Sequence, residues 1–391
     1  MAKKEQNEFE AARKKRRRKF AAQRTRKFIG AVLLIGILLG GIYLFITEDI
    51  GGIIGDRIAS SAAGSEGMPV DISGMTVKDT FSAGEYIGVM TDSVYYLFAE
   101  NGKQLLSEQH GFANPVVESC GRRFLIYDQG GNKLIVRMRD KILFEKEFEY
   151  KIISASLSEE GTLSVVTSAQ RYASQLHIFD KNYEEEIFTW SASNEYIVIA
   201  KVCDDEKMIA AAALSASESG EMVTTVHFFT TEAAVELGKK EFKGASVLSM
   251  EFDNNGDVKL ICDTVAAVLD KNANVLGRRN YSDVPISAIN VQGKEGAVII
   301  FDRFTESRAA HATFLGENFE EIKTVSMSGK YITSDGNLSK AAIYCSGIAY
   351  IFNSEGECTA KLESEQDAIL IQLGKESLFA ITRDELCEIL S

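Results

Sequence analysis

Four histidines and six cysteines are the most chemically versatile side chains of this 391-residue sequence, and neither set falls into a reactive spacing. His177 (QLHIFD) and His227 (TVHFFT) occupy equivalent places in successive apolar segments, with no ligand spacing around them. Packing at a repeated position explains them, so no metal and no cofactor is expected. His110, in QHGF, is the one loop-like histidine, and no nucleophile motif accompanies it. Cys120, Cys203, Cys262, Cys345, Cys358 and Cys387 form no Cys-x-x-Cys pair. Cys262 (LICD) and Cys345 (IYCS) share a position, which favours small buried side chains, while leaving a single bridge open. Acidic pairs such as Glu159-Glu160 and Asp204-Asp205 fall at turns, where solvation accounts for them. Paired-carboxylate hydrolysis is the rival chemistry. Ser334-Asp335-Gly336-Asn337 reads as an ordinary Asp-Gly turn. Catalysis is therefore not the expectation.

Binding is. Three polar connections between apolar segments are long: 169–174, 214–224 and 301–311. They carry Arg171, Tyr172, Ser217, Glu218, Arg303, Phe304 and Arg308, and Trp190 is expected to reach the same surface. Arg, Tyr, Trp and Phe are the side chains that make interface hot spots, and loops on a rigid frame are where binding residues collect.

The frame is legible as a repeat. Eight times from residue 76 onward the chain runs apolar strand, polar turn, apolar strand, short turn, apolar strand, as in EYIGVMTDSVYYLFAENG and KAAIYCSGIAYIFNSEG. Turns such as Gly121-Arg122, Asn254-Asn255-Gly256 and Gly374-Lys375-Glu376 mark the first hairpin of each unit, because Gly, Asn and Asp supply its positive φ angles. A period of about 40 residues built from short strands is that of a β-propeller blade. Each blade is read as strands A to D from axis to perimeter. Pro115 and Pro285 open A strands, where a missing N–H costs little. The last unit stops at Leu390-Ser391 without a D strand, and Val70-Asp71-Ile72-Ser73 is a spare short strand before the first unit. The economical reading is an all-β ring of eight blades over 69–391, closed by the strand at 70–73 so that no edge remains open. Seven blades is the alternative count, because units 4 and 6 are irregular.

On this pattern the sequence resembles the membrane-anchored β-propellers of Gram-positive bacteria, within the broad WD40-like and pyrroloquinoline-quinone-like repeat group. It looks most like an anchored family of unknown function. The Trp-Asp and Gly-His dipeptides of WD40 repeats are missing, and the sole Trp190 is not periodic. The resemblance implies a fold and a location, and carries no active site.

The N-terminus supports the location. Residues 28–47 (FIGAVLLIGILLGGIYLFIT) contain no charge, and twenty residues at about 1.5 Å each span a hydrocarbon core of roughly 30 Å. Twelve Lys and Arg but only three acidic residues precede Phe28, whereas Glu48, Asp49 and Asp56 follow the span. The positive-inside rule then makes 1–27 a basic cytoplasmic tail, 28–47 a single transmembrane helix and 69–391 extracytoplasmic. A cleaved signal peptide is the rival, but its apolar core is shorter. Residues 48–68 are Gly/Ser/Ala-rich and read as a flexible linker. The tail suits anionic lipid head groups and lacks any folded nucleic-acid module. Taken together, a membrane-anchored scaffold for a protein or cell-envelope polymer is expected. An envelope hydrolase or lyase with carboxylates at the propeller channel, and a ligand sensor relaying through the tail, are the alternatives.

Overall fold

The computed structural model describes residues 67–391 apart from 233–234, 282–284, 293–295, 303–308, 338, 365–366, 375–376 and 391, together with Gly55. The tail, the expected transmembrane helix at 28–47 and nearly all of the linker lie outside the described residues. Among those described, no helix is long and apolar enough to cross a membrane.

Eight four-stranded antiparallel sheets make the ring. The A strands of blades 1 to 8 are Val77–Ala83, Pro115–Cys120, Ile152–Leu157, Tyr196–Val202, Val247–Phe252, Ile286–Gln292, Tyr331–Gly336 and Leu370–Leu373. They pack against one another around the axis, that of blade 8 meeting that of blade 1. Units 4 and 6 are complete blades despite their irregular sequences, so the count is eight. The ring closes as expected, though with fewer residues: the last blade borrows Val70–Asp71 as its outer strand. Val70 pairs with Leu386 and Asp71 with Glu385, and the N–H of Ile72 donates to the carbonyl of Asp384 (2.8 Å).

Each neighbouring pair of blades shares one apolar cluster, which is why B and C strands read as nearly unbroken hydrophobic runs. Along the B strand of blade 3 (Leu163–Thr167), Leu163 and Val165 face blade 2 whereas Val166 faces blade 4. A strand sandwiched on both faces has no polar side to show. The closing cluster joins Ile72, Phe379, Ile381 and Leu386 to Ile87, Val89 and Phe98 of blade 1.

The C–D turns repeat one left-handed position, occupied by Gly102, Tyr183, Ala273, Phe319 and Gly356, with φ between 61° and 86°. Where that residue is not glycine its side chain is buried, Phe319 to 2% exposure, and burial offsets the backbone cost. Asp180, Asp270 and Asn353 begin three of these turns and accept backbone N–H bonds from two and four residues ahead.

Two boundaries differ from the sequence reading. Asp335 and Gly336 belong to the A strand of blade 7, and the turn follows them. Residues 214–216 and 222–224, read as part of a long connection, extend a hairpin of two nine-residue strands, Met208–Ala216 and Met222–Thr230.

Candidate binding site on the propeller axis

One polar residue stands one or two positions before the end of every A strand, in segments otherwise dominated by apolar or small side chains. Lys201 of blade 4 reaches past blade 3. Its Nζ lies 2.6 Å from Glu118 Oε1 of blade 2 and 2.9 Å from Glu251 Oε1 of blade 5. Burial works against the Lys201 charge, but the two carboxylates outweigh it and hold the ammonium above the usual lysine range. Burial, joined by the like charge of Glu251, pushes the Glu118 carboxyl upward against the pull of Lys201.

A second chain of contacts closes the other side. Gln372 Nε2 of blade 8 donates to Asp335 Oδ2 of blade 7 (2.8 Å) and to Ser82 Oγ of blade 1 (2.9 Å). The Leu373 N–H also donates to Asp335 Oδ2 (2.7 Å), and the Gly336 N–H to Oδ1 (2.9 Å). Burial raises the Asp335 carboxyl to about 6, opposed by those backbone donors and helped by Asp79. Ser156 of blade 3 donates to the Ala200 carbonyl (2.8 Å), and Asn290 of blade 6 lies beside Gly336. The Leu157 backbone N–H adds to the pull of Lys201 on Glu118, and Asn290 Nδ2 is buried with no hydrogen-bond partner among the described residues.

These residues line three neighbouring cavities that share Glu118. A cavity of about 720 Å³ opens at the A–B turns of blades 1, 2, 7 and 8, with Ser82, Glu118, Asp335 and Gln372 in its wall. A chamber of about 240 Å³ is walled by Glu118, Lys201 and Glu251. A third, of about 290 Å³, lies along the A strands on the far side of the same triad and includes Leu248. Carboxylates therefore do converge on the axis, as the hydrolase alternative expects, but Lys201 neutralises part of that charge and both Asp335 oxygens are engaged.

The opposite mouth is of different chemistry. Six exposed apolar side chains, Tyr172, Tyr196, Met222, Leu248, Ile332 and Ile369, lie where the D–A and B–C connections meet. Leu248 and Ile332 each sit at a β-bulge, where two A-strand residues oppose one on the B strand. An extra residue in one strand re-aims a side chain at a sheet end.

The residues expected at that rim are partly placed there. Arg171 and Tyr172 are exposed in the 168–173 connection, and Ser217 and Glu218 lie in the short turn 217–221. Ser217 Oγ accepts from the Glu221 N–H (3.1 Å), which ties the turn to itself. Arg303, Phe304 and Arg308 lie outside the described residues. Trp190 does not stand at the rim. It falls within the blade 3 D strand (Glu186–Ala192), with its ring 4.8 Å from His227 and from Phe229 of blade 4. Its place is between blades.

His110, His177 and His227 hold structure. His177 Nδ1 faces Glu186 Oε1 at 2.6 Å, and His227 Nδ1 faces Glu236 Oε1 at 2.6 Å; each Glu opens the following D strand nine residues on. His227 Nε2 also meets Glu195 (2.8 Å). His110 is buried and accepts the Phe112 N–H at Nδ1 (3.0 Å), which leaves Nε2 to donate to the Thr91 carbonyl. Among the described residues no cluster of His, Cys, Asp and Glu is arranged to hold a metal. All six cysteines are free thiols.

The architecture and its polar axis define an eight-bladed β-propeller of the WD40-like kind. The chain belongs to DUF5711, a family of unknown function whose model matches residues 70–390. No curated protein sequence matches it. It is similar in fold to the C-terminal WD40 domain of Sif2, with a TM-score of 0.60 at 10% identity over 83% of this chain and 99% of that one. BamB from Moraxella catarrhalis gives 0.51 at 8% identity, covering 82% and 100%. A eukaryotic initiation factor gives 0.53 at 10% identity, covering 82% and 85%. Identities this low show the fold alone.

Proposed function

We propose that the chain is a binding scaffold without catalysis, which holds a protein or cell-envelope polymer at the D–A/B–C rim of its propeller. In this reading residues 28–47 anchor it in the cytoplasmic membrane. The basic tail lies on anionic lipid inside, the propeller stands outside, and nucleic acid is not a partner. The observation that carries the reading is the grouping of exposed apolar residues on one rim, Tyr172, Tyr196, Met222 and Leu248 among them. Large apolar side chains gathered at one end of a rigid frame mark an interaction surface. Arg171 beside them offers a charged contact of the kind interface rims use.

The test is recovery of partners after cross-linking intact membranes that carry the full-length chain. Replacing Tyr172, Tyr196, Met222 and Leu248 together by serine should cut recovery at least about tenfold, as loss of a hot-spot cluster does. Unchanged recovery rejects the reading.

A further inference from the structure

His177 and His227 stand in the C strands of blades 3 (Ser174–Phe179) and 4 (Met222–Thr230), and each Nδ1 meets the glutamate that opens its D strand at 2.6 Å. Their other nitrogens differ. His177 Nε2 lies 3.3 Å from Thr167 Oγ1, a hydroxyl that can donate or accept. His227 Nε2 lies 2.8 Å from Glu195 Oε2, and a carboxylate only accepts. A neutral imidazole has one N–H and cannot donate to two carboxylates, so His227 makes both contacts together only as the imidazolium. His177 can keep both of its contacts in either charge state.

We propose that His227 is a proton-operated latch on the D–A/B–C rim, an inference that rests on that rim being the partner site. Glu195 ends the connection 193–195 between blades 3 and 4, and the exposed rim residue Tyr196 follows it directly. With two ring protons, His227 ties the Glu195 side chain down to the blade 4 C strand. When one proton leaves, the ring keeps Glu236, as His177 keeps Glu186, and turns a lone pair toward Glu195. Two acceptors at that distance repel, so the Glu195 side chain swings out and adds an unpaired carboxylate to an apolar rim. Covering it with a partner then costs desolvation, and binding weakens. The latch is closed at low pH and opens as pH rises.

The surroundings confine the change to this contact. The His227 side chain is 6% exposed and that of Glu195 25%, so water replaces little of what is lost. Facing the ring are Glu236 and the exposed Lys239 from the blade 4 D strand, Glu195 from the connection and uncharged Trp190 from blade 3, with Ala211 opposite on the B strand. Ser174 Oγ donates to the Glu195 carbonyl (3.2 Å) and accepts from the Ile197 N–H (2.8 Å), which fixes the backbone while the side chain moves.

Trp190 is the sole tryptophan and its ring lies 4.8 Å from His227, so fluorescence of the full-length protein in detergent reads the latch directly. An imidazolium quenches an excited indole more strongly than an imidazole does. Emission should therefore rise in one step between about pH 5 and 9, the region where histidine changes charge. The step should vanish in His227→Gln and stay in His177→Gln. In the isosteric Glu195→Gln it should move to lower pH, because one of the two charges that hold the second proton is gone. Partner recovery from cross-linked membranes should fall several-fold across the step in the wild type. It should stay level in Glu195→Gln, whose amide can donate to the neutral ring or accept from the charged one. No step, a step that survives His227→Gln, or one unmoved by Glu195→Gln overturns the latch. Recovery that does not change across the step overturns its control of the rim. The fluorescence needs no partner, so a failure of the rim reading is seen separately from a failure of the latch.

Discussion

Val70 pairs in register with Leu386, so the first strand of the propeller is the outer strand of its last blade. The seal is short but it is buttressed, because Ile72 is 1% exposed and packs with Phe379 and Leu386 of blade 8 and Ile87 of blade 1. One residue thus joins the propeller's first and last strands and the two blades that meet there.

A chain starting at residue 75 should be less stable than one starting at residue 67 by about 2–4 kcal/mol, from the lost Ile72 burial and the strand hydrogen bonds. Urea unfolding midpoints measure the difference. Equal midpoints would mean that the closing strand contributes nothing.

Lys201→Met should destabilise by about 3 kcal/mol, because it leaves Glu118 and Glu251 facing each other uncompensated. That is the low end of the usual range, since Glu251 is 40% exposed and water screens part of the repulsion. Without Lys201, burial alone raises the Glu118 carboxyl above its unfolded value. Stability of the variant should then improve as pH falls, because a raised group favours the folded state below its unfolded pKa and loses that advantage as pH rises. The triple variant with Glu118→Gln and Glu251→Gln should recover most of the loss. A deficit that does not depend on pH would show that Lys201 acts through packing alone.

Burial pushes the Asp335 carboxyl up to about 6 in the folded ring, from an ordinary value of 3.8. A raised group stabilises the fold below the unfolded pKa and loses that contribution as pH rises through the folded one. Stability should therefore drop between about pH 4 and 6 on account of this residue, and Asp335→Asn should flatten that part of the profile. Asn can still accept from the Leu373 N–H and Gln372. Urea midpoints at intervals from pH 4 to 8 check it, and an unchanged slope in the variant would count against the burial assigned to the carboxyl.

Thiol labelling should reveal one fast cysteine, Cys358, which is exposed. Burial pushes the Cys120 thiol up to about 11 and Cys262 to about 12, so little thiolate forms at neutral pH. Mass spectrometry after brief treatment with a maleimide should find a single major adduct, with the buried thiols reacting only on unfolding. Rapid labelling of Cys262 would contradict the packing between blades 4 and 5.

Much of this architecture was readable from the sequence, because short strands and Gly/Asn/Asp turns are local signals. The spare strand before the first unit and the missing one after the last gave the ring closure as well. The axial constellation was harder to read. Lys201 in YIVIAKV and Glu118 in PVVES look like single polar residues in apolar strands, and nothing local says that blades 2, 4 and 5 bring them together. The available signal was their recurrence just before each A–B turn. Asp335 was misread because Asp-Gly is a turn dipeptide by propensity, whereas contacts from blade 8 hold it in a strand. Trp190 was placed at the rim by its nearness to a connection, but the alternation of side chains along its strand turns it toward His227. Leu214–Thr224 looked like a loop because Ser and Glu interrupt it, yet cross-strand pairing carries through to Ala216 and Met222.

The central claim is that one rim binds and the other does not contact the same partner. Photo-crosslinking in intact cells tests it most directly, with a benzophenone amino acid placed at Tyr196 or at Lys207, which lie at opposite ends of blade 4. A discrete adduct from position 196 and none of the same mass from position 207 is the predicted result. Identical adducts from both positions, or none from 196, would contradict it.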